Sequence, residues 1–461
     1  MSVIAVIGGG IAGLSAAWQL ATRHPDHEVL VLEGSPRVGG RLHSGQVAGQ
    51  TVDVGAESML VRRPEGRELL AELGLEPVHP ARVSATIWSR GTQQPMPPRT
   101  LMGVPSDPST LGGLLTSDEV DRVASERPVP VDGDLAIGEL VERALGGAVV
   151  DRLVEPLLGG VYAGHARQLS AQACVPALYQ AAAQGDSLIE AAQRAAAAGV
   201  KRADEPVFGS LPGGLGQLPG LLVTALSQRG VRIHTETMVR DLTRTVRGWR
   251  LTTGPTRDEQ QLDVDGVVLA CPARAAGRLL EAVAPAAAMD VGEVDYASMA
   301  IVTFAFDAAA ADPLRHSSGF LVPPVDGHDI KAATFSSAKW PWLARTRTDL
   351  TVARVSFGRF GEVAALQRPD HDLAAAGLAD LRRAIDGSLP DPLDVHVQRW
   401  GGGLPQYAVG HRARIDHARA SIPGDAALGL AGAAYDGVGV PACIASGRAA
   451  ADLVVTRLQG R

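Results

Sequence analysis

The chain opens on an unbroken apolar run, Val3 to Ile7, that stops at glycine. A run of that length with a glycine stop predicts a buried parallel strand. Leu14 to Leu20, with Ala16, Ala17 and Trp18, holds helix formers without a breaker, and Val29 to Glu33 predicts a second strand. Gly49 to Ser58 alternates and then turns, and Pro64 to Leu73 predicts a helix ended by Gly74. Val83 to Trp88 is strand-like, and the proline-dense Met96 to Pro105 excludes a helix. Leu135 to Leu145, Val149 to Leu158 and the alanine-rich Ala171 to Ala198 predict helices of an insert. Leu153 to His165 interrupts it with Pro156, Gly159 and Gly160, a break of the kind that lines a site.

Strand patterns then return. Leu211 to Gly220 opens a helix to Arg229, Val231 to Thr235 runs as a strand toward Val239, and Leu242 to Thr253 with Leu262 to Ala270 completes a small sheet. Met299 to Phe306, Ile330 to Phe335, Thr351 to Phe357 and Asp394 to Trp400 predict a sheet, covered by a helix over Asp370 to Ile385. Ala427 to Gly432 is a last buried strand, and Tyr435 to Pro441 is a glycine turn before a helix over Ala442 to Leu458.

Gly8, Gly10 and Gly13 form GxGxxG between the first strand and the first helix, in a segment that also holds Gly9, Ile11 and Ala12. In that context the first glycine permits the turn, the second lets a pyrophosphate approach and the third lets helix and strand pack. Free N–H groups at the helix start would face the phosphates. Glu33 stands twenty residues past Gly13, where a carboxylate accepts from a ribose diol and repels a 2′-phosphate. Gly34 to Arg41 adds a second glycine pair, ending at Gly40, and two arginines. A simple NAD domain has no use for these; the double motif resembles that of amine-oxidase-like flavoproteins.

The 461 residues suffice for two or three domains. With 43 basic and 50 acidic residues the charge is −7, and no basic stripe with interleaved aromatics occurs, which excludes nucleic acid. Lysine occurs only at 201, 331 and 339; the abundant arginines match carboxylate geometry. Cys174, Cys271 and Cys443 are widely spaced in apolar surroundings, so neither a disulfide framework nor a metal site is expected, and a reducing cytoplasm suits the chain. Neither a signal peptide nor a transmembrane helix is expected, while peripheral membrane contact stays open.

Over nearly its full length the sequence resembles the protoporphyrinogen and coproporphyrinogen III oxidase family, within the amine-oxidase-like flavoproteins. The segments that carry this are Gly8 to Arg41, Val52 to Ser58, Pro95 to Pro105, Glu155 to Gly164, Trp400 to His411 and Gly437 to Gly447. The resemblance implies an α/β fold: a discontinuous Rossmann-like FAD-binding domain (1–78, 204–271 and 396–461), a mixed-sheet substrate domain (79–105 and 272–395) and an inserted helical domain (106–203). It implies non-covalent FAD contacts at Gly8 to Gly13, Glu33, Gly34, Gly40, Arg41, Gly55, Ala56, Glu57, Ser58, Val239, Trp400, Val438, Gly439 and Val440.

The Thr100 to Pro105 and Tyr162 to Gly164 segments resemble the Gram-positive type, which oxidises coproporphyrinogen III with molecular oxygen. The implied reaction removes six electrons from the macrocycle, two at a time through the flavin, with hydrogen peroxide as by-product in heme biosynthesis. No proton-transfer residue carries over, and His165, His316 and His411 read as solvated or structural. Membrane-bound relatives carry an arginine near the Met102 position for a propionate; this sequence departs there, and Arg63 and Arg99 are the available substitutes. Protoporphyrinogen IX stands as a second or alternative substrate. Two other readings stay open: an amine or carotenoid oxidase of the same fold, with Lys331 or Lys339 beside the flavin, and a non-catalytic binder.

Overall fold

A computed structural model describes residues 2–200, 205–385 and 389–460. Lys201 and the expected boundary at 203/204 lie outside the described residues. Five parallel strands form the first sheet, in the order Leu428–Leu430, Gly266–Leu269, Val3–Ile7, Glu28–Leu32, Arg232–His234. The middle strands are apolar on both faces because both are covered. Ile4, Val6, Val29 and Val31 pack under helices Ile11–Arg23, Leu218–Ser227 and Val440–Gln459. Ala5, Ile7, Leu30 and Leu32 pack under helices Ala273–Leu280 and Pro285–Gly292. A three-stranded antiparallel sheet, Val239–Arg244, Trp249–Thr253 and Gln260–Val264, adjoins it. The predicted run from Leu262 to Ala270 is divided between these sheets, because the Asp265 N–H donates to Val3 O and carries the chain into the parallel one.

The second sheet has seven strands, ordered Asp394–Pro405, Tyr296–Asp307, Leu350–Phe357, Ile330–Thr334, Gly319–Leu321, Ala85–Ser89, Thr92–Pro95. It is antiparallel except where Gly319–Leu321 pairs with Ala85–Ser89. One face, with Val302, Phe304, Val355 and Phe357, is sealed by helix Asp370–Ala384. On the other, Leu321, Ala332, Thr334, Arg354 and Ser356 are only half-buried. Two packing relations run across expected domain boundaries. Asp394–Pro405 pairs along its length with Tyr296–Asp307, so a boundary at 396 would cut one strand in two. The helices between 273 and 292, expected in the unit that starts at 272, pack against the parallel sheet through Ala276, Leu280, Ala287 and Val291.

The insert is a helical cluster around Leu140, Val141, Leu153 and Leu178. The stretch expected as one helix over Ala171 to Ala198 is three: Ala171–Cys174, Pro176–Ala183 and Leu188–Val200. Pro176 has no N–H to continue the first, and Gly185 at φ +76° ends the second. Before Glu155 the chain makes a π turn over Val150–Val154, and helix Glu155–Tyr162 stops at Ala163 in the left-handed conformation.

Candidate cofactor crevice and active site

The glycines of the first turn divide by what surrounds them. A Cβ on Gly13 would lie 1.9 Å from Gly8 O, and one on Gly8, at φ +112°, would lie 2.6 Å from Ala270 O. These two are packing glycines. Gly10 has an ordinary backbone (φ −71°, ψ 175°) and a Cβ there would enter open space. It begins helix Ile11–Arg23 without a side-chain cap. The second glycine pair lies alongside: the Gly39 N–H donates to Gly9 O at 2.8 Å, and a Cβ on Gly40 would meet only the Gly10 Cα, at 3.4 Å. Ile11 is half-buried and Ala12 buried.

The Glu33 carboxylate accepts the Gly9 N–H at 2.6 Å on one oxygen and the Ser35 N–H at 2.8 Å on the other. Each oxygen keeps a lone pair for a further donor. The segment leading to Val239 passes the same loop, with the Thr237 N–H on Glu33 O and Met238 against Gly34. Val239 itself is buried at an irregular step of its strand.

Arg41 closes the N-terminal side. Its guanidinium donates to the carbonyls of Gly401, Gly402 and Gly403 and lies 5.3 Å from the Trp400 ring centroid. The Trp400 Nε1 donates to Val54 O at 3.0 Å. Gly55 must be glycine, since a Cβ there would be 2.0 Å from Arg41 O. Ala56 and Ser58 are half-buried, while the Glu57 side chain, 7% exposed, is turned into an ion cluster with Lys339 and Arg354. Arg354 also donates to the carbonyls of Asp53 and Gly55, at 3.3 and 3.0 Å. Asp53 accepts the N–H groups of Leu215 and Gly216, and burial pushes its carboxyl up to about 6. Sequence reasoning missed Asp53, Lys339 and Arg354 as a set; only the acids flanking Val54-Gly-Ala56 hinted at it.

The C-terminal glycine turn mirrors the first. Gly439 begins helix Val440–Gln459 without a side-chain cap, and a Cβ there would meet only Pro441 Cδ, at 3.9 Å. Val438 packs toward the insert and Val440 toward the parallel sheet. Helices Ile11–Arg23 and Val440–Gln459 run in the same direction. Gly447 lies against Ala12, where a Cβ would be 2.1 Å from its carbonyl, and Asp452 bonds Gln19 at 3.0 Å. Their open N-termini therefore face the same way, beyond the carboxyl ends of strands Val3–Ile7 and Leu428–Leu430, where open α/β sheets bind ligands. Tyr407 lies within the Trp400 to His411 segment; its hydroxyl donates to Ala433 O just before this turn, and its ring stacks on His411 at 4.0 Å.

The remaining candidates lie elsewhere. Arg63 pairs with Glu65 on the surface at 2.8 Å, and Arg99 is exposed at φ +57° in the proline-rich loop. Of the two lysines considered for a flavin neighbour, Lys339 is held by Glu57, and Lys331 is buried and donates to Gly358 O. His165 bonds Phe360 O, His316 is exposed beside Asp312, and burial pushes buried His411 down to about 4. The three cysteines are free. Among the described residues no group of three or more His, Cys, Asp or Glu could hold a metal, and no helix is long and apolar enough to cross a membrane.

The half-buried face of the seven-stranded sheet meets this crevice where Arg354 reaches Gly55, and its far end lies under helix Glu155–Tyr162. The chain thus offers a glycine-lined crevice, fed from both of its ends, beside a sheet face left open.

Comparison with known proteins bears on what such an arrangement serves. The family described as flavin containing amine oxidoreductase matches residues 11–455. The coproporphyrinogen III oxidase of Mycobacterium tuberculosis is 37% identical over 460 residues, covering 97% of this chain and 96% of that protein. The Bacillus subtilis protein of the same name is 29% identical, covering 99% and 98%. A crystallised protein from Exiguobacterium superposes with a TM-score of 0.83 at 31% identity, over 100% of this chain and 99% of that one.

Proposed function

The chain belongs to the flavin-containing amine oxidoreductase family, and from that premise we propose that it is an FAD-dependent oxidase converting coproporphyrinogen III to coproporphyrin III with molecular oxygen. The observation that carries the reading is the pairing of two open, uncapped helix starts at Gly10 and Gly439 with a half-buried sheet face next to them. Relatives matched over nearly their whole length have the same named activity.

The residues fit a dinucleotide. Gly10 and Gly40 leave a cradle that a Cβ would fill. The N–H groups from Gly10 to Gly13, through Ile11 and Ala12, would hold the pyrophosphate, as helix N-termini hold anions, with the Gly9 N–H engaged by Glu33. Glu33 keeps acceptor capacity for a ribose diol, with Gly34 and the Val239 backbone alongside. Arg41, the Gly55 to Ser58 backbone and Trp400 would flank the middle of the cofactor, and the N–H groups of Val438 to Val440 would face its ring. In this role Glu57 acts through its main chain, its carboxylate being engaged. A bound flavin supplies the two-electron acceptor that six-electron oxidation uses repeatedly.

The protein's own work is binding and exclusion of water. Aromatisation drives the reaction, so the chain needs to hold the macrocycle in register and keep solvent from it. Leu321, Ala332, Thr334 and Ser356 offer a floor half apolar and half hydroxyl-bearing, and helix Glu155–Tyr162 roofs one end. The test is aerobic turnover of coproporphyrinogen III, protoporphyrinogen IX and monoamines by the purified yellow protein. Porphyrin fluorescence should grow, fastest with coproporphyrinogen III, while monoamines consume no oxygen. A colourless protein that oxidises neither porphyrinogen would remove the reading.

A further inference from the structure

Under the roof of the open sheet face lies a group of charges that the protein leaves unbalanced. Lys331 is 5% exposed and stands in the irregular register step between Ile330 and Ala332, where a bulge re-aims a side chain. Its Nζ donates to Gly358 O at 3.0 Å, and among the described residues it has no ion-pair partner. Arg359 follows Gly358, whose φ of +87° turns the chain back under the roof. It too is 5% exposed; its Nη2 donates to Val322 O at 3.2 Å and its Nε is buried without a hydrogen-bond partner. Its carboxylate neighbour, Glu362, stands 3.9 Å off and half in solvent.

The insert brings Glu155 within electrostatic reach of Arg359, with His165 beside it. Glu155 Oε1 accepts the Ala166 N–H, Oε2 has no partner, and burial pushes its carboxyl up, which opposes ionisation. His165 is joined to Phe360 O. Two buried cations of like sign, one with an unsatisfied donor, are costly unless something negative completes them.

We propose that Lys331 and Arg359 form the seat for one carboxylate of the substrate, at the roofed end of the open sheet face. The inference rests on the porphyrinogen reading above. From Arg354, which touches the crevice at Gly55, to Gly358 is four residues of extended chain, about 13 Å. That is the scale of a macrocycle lying between the crevice and the seat. The roof carries no side chain at two positions here: a Cβ on Gly159 would be in ordinary contact with Gly164 O at 3.9 Å, and one on Gly160 with the floor residue Leu321, at Cδ2, at 4.0 Å.

The experiment uses the flavin-loaded protein and two probes, coproporphyrin III and its tetramethyl ester, with binding followed by fluorescence. Wild type should bind the acid at least about tenfold tighter than the ester, and Lys331→Met should cut that ratio about tenfold. Lys331→Arg should restore most of it. In turnover, Lys331→Met should raise KM for coproporphyrinogen III with little change in kcat, and the flavin spectrum should be unaltered. Equal affinity of the wild type for acid and ester overturns the seat, whether or not the variants fold. So does a Lys331→Met protein that loses affinity for both probes alike. A wild type that prefers the acid but oxidises no porphyrinogen would leave the seat standing and remove the proposed reaction.

Discussion

The Lys339 ammonium lies 2.5 Å from one oxygen of Glu57, and the Arg354 guanidinium lies 3.2 Å from the other. Lys339 ends a short helix and Arg354 belongs to a sheet strand, so the two elements together hold the loop that lines the crevice. Burial by itself would raise the Glu57 carboxyl; Arg354 and Lys339 outweigh it and hold the group down to about 2.

Glu57→Gln keeps the shape and removes the buried charge, leaving two half-buried cations without their partner. Breaking a buried pair from one side costs about 3–5 kcal/mol. Urea unfolding of the variant should show a loss of that order, together with weaker flavin retention on gel filtration. An unchanged midpoint and full flavin content would mean the cluster holds nothing.

Gly10→Ala and Gly13→Ala separate the two kinds of glycine. The Gly10 backbone suits any residue and a Cβ there meets open space, so the alanine variant should melt within about 1 kcal/mol of wild type when both are stripped of flavin. It should nevertheless bind flavin more weakly. Gly13→Ala puts a methyl 1.9 Å from Gly8 O and should lose folding itself. Calorimetry of the stripped proteins, with flavin titration, distinguishes them.

Asp53 gives a pH signature. Its carboxyl is pushed from 3.8 up to about 6, by burial, against the opposing N–H bonds of Gly216 and Leu215. Between those values the folded protein keeps a proton that the unfolded chain has released, so this contribution to stability falls as pH rises through the window and stays low above it. Asp53→Asn cannot titrate. Its unfolding free energy should therefore decline less than that of wild type between about pH 4 and pH 7.

Lys331 titrates nearer neutrality. Burial, reinforced by Arg359 and opposed by Glu362, pushes its ammonium down to about 7, while from the insert Glu155 acts on Arg359 and His165 bonds Phe360 O. Above that pH the free enzyme holds it neutral and the seat loses half its charge. KM for coproporphyrinogen III should rise as pH rises past about 7, and the rise should vanish in Lys331→Arg, since arginine stays charged. A KM flat with pH in the wild type contradicts this.

Both jaws of the crevice were legible because each is a local signal: an apolar strand, a glycine turn and a helix, contiguous in sequence at Val3 to Leu20 and Ala427 to Leu458. What lay hidden was made by distant pairing. Asp394–Pro405 was foreseen only to Trp400, because Gly401 to Gly403 break the alternation; in the fold their carbonyls are what Arg41 grasps. Alanine favours helix throughout the stretch from Ala171 to Ala198, which hides the breaks that Pro176 and Gly185 impose in the fold. Arg63 and Arg99 stand near motifs in the sequence and at the surface in the fold, whereas Lys331 and Arg359 are brought together only through a bulge and a turn. No spacing in the chain announces that meeting.

Mixing the flavin-loaded protein with coproporphyrinogen III in the absence of oxygen tests the central claim most directly. The yellow absorbance should bleach as porphyrin fluorescence appears, and admitting air should restore the colour and let porphyrin formation run on. Flavin that stays oxidised with coproporphyrinogen III, while a monoamine bleaches it, would contradict the account.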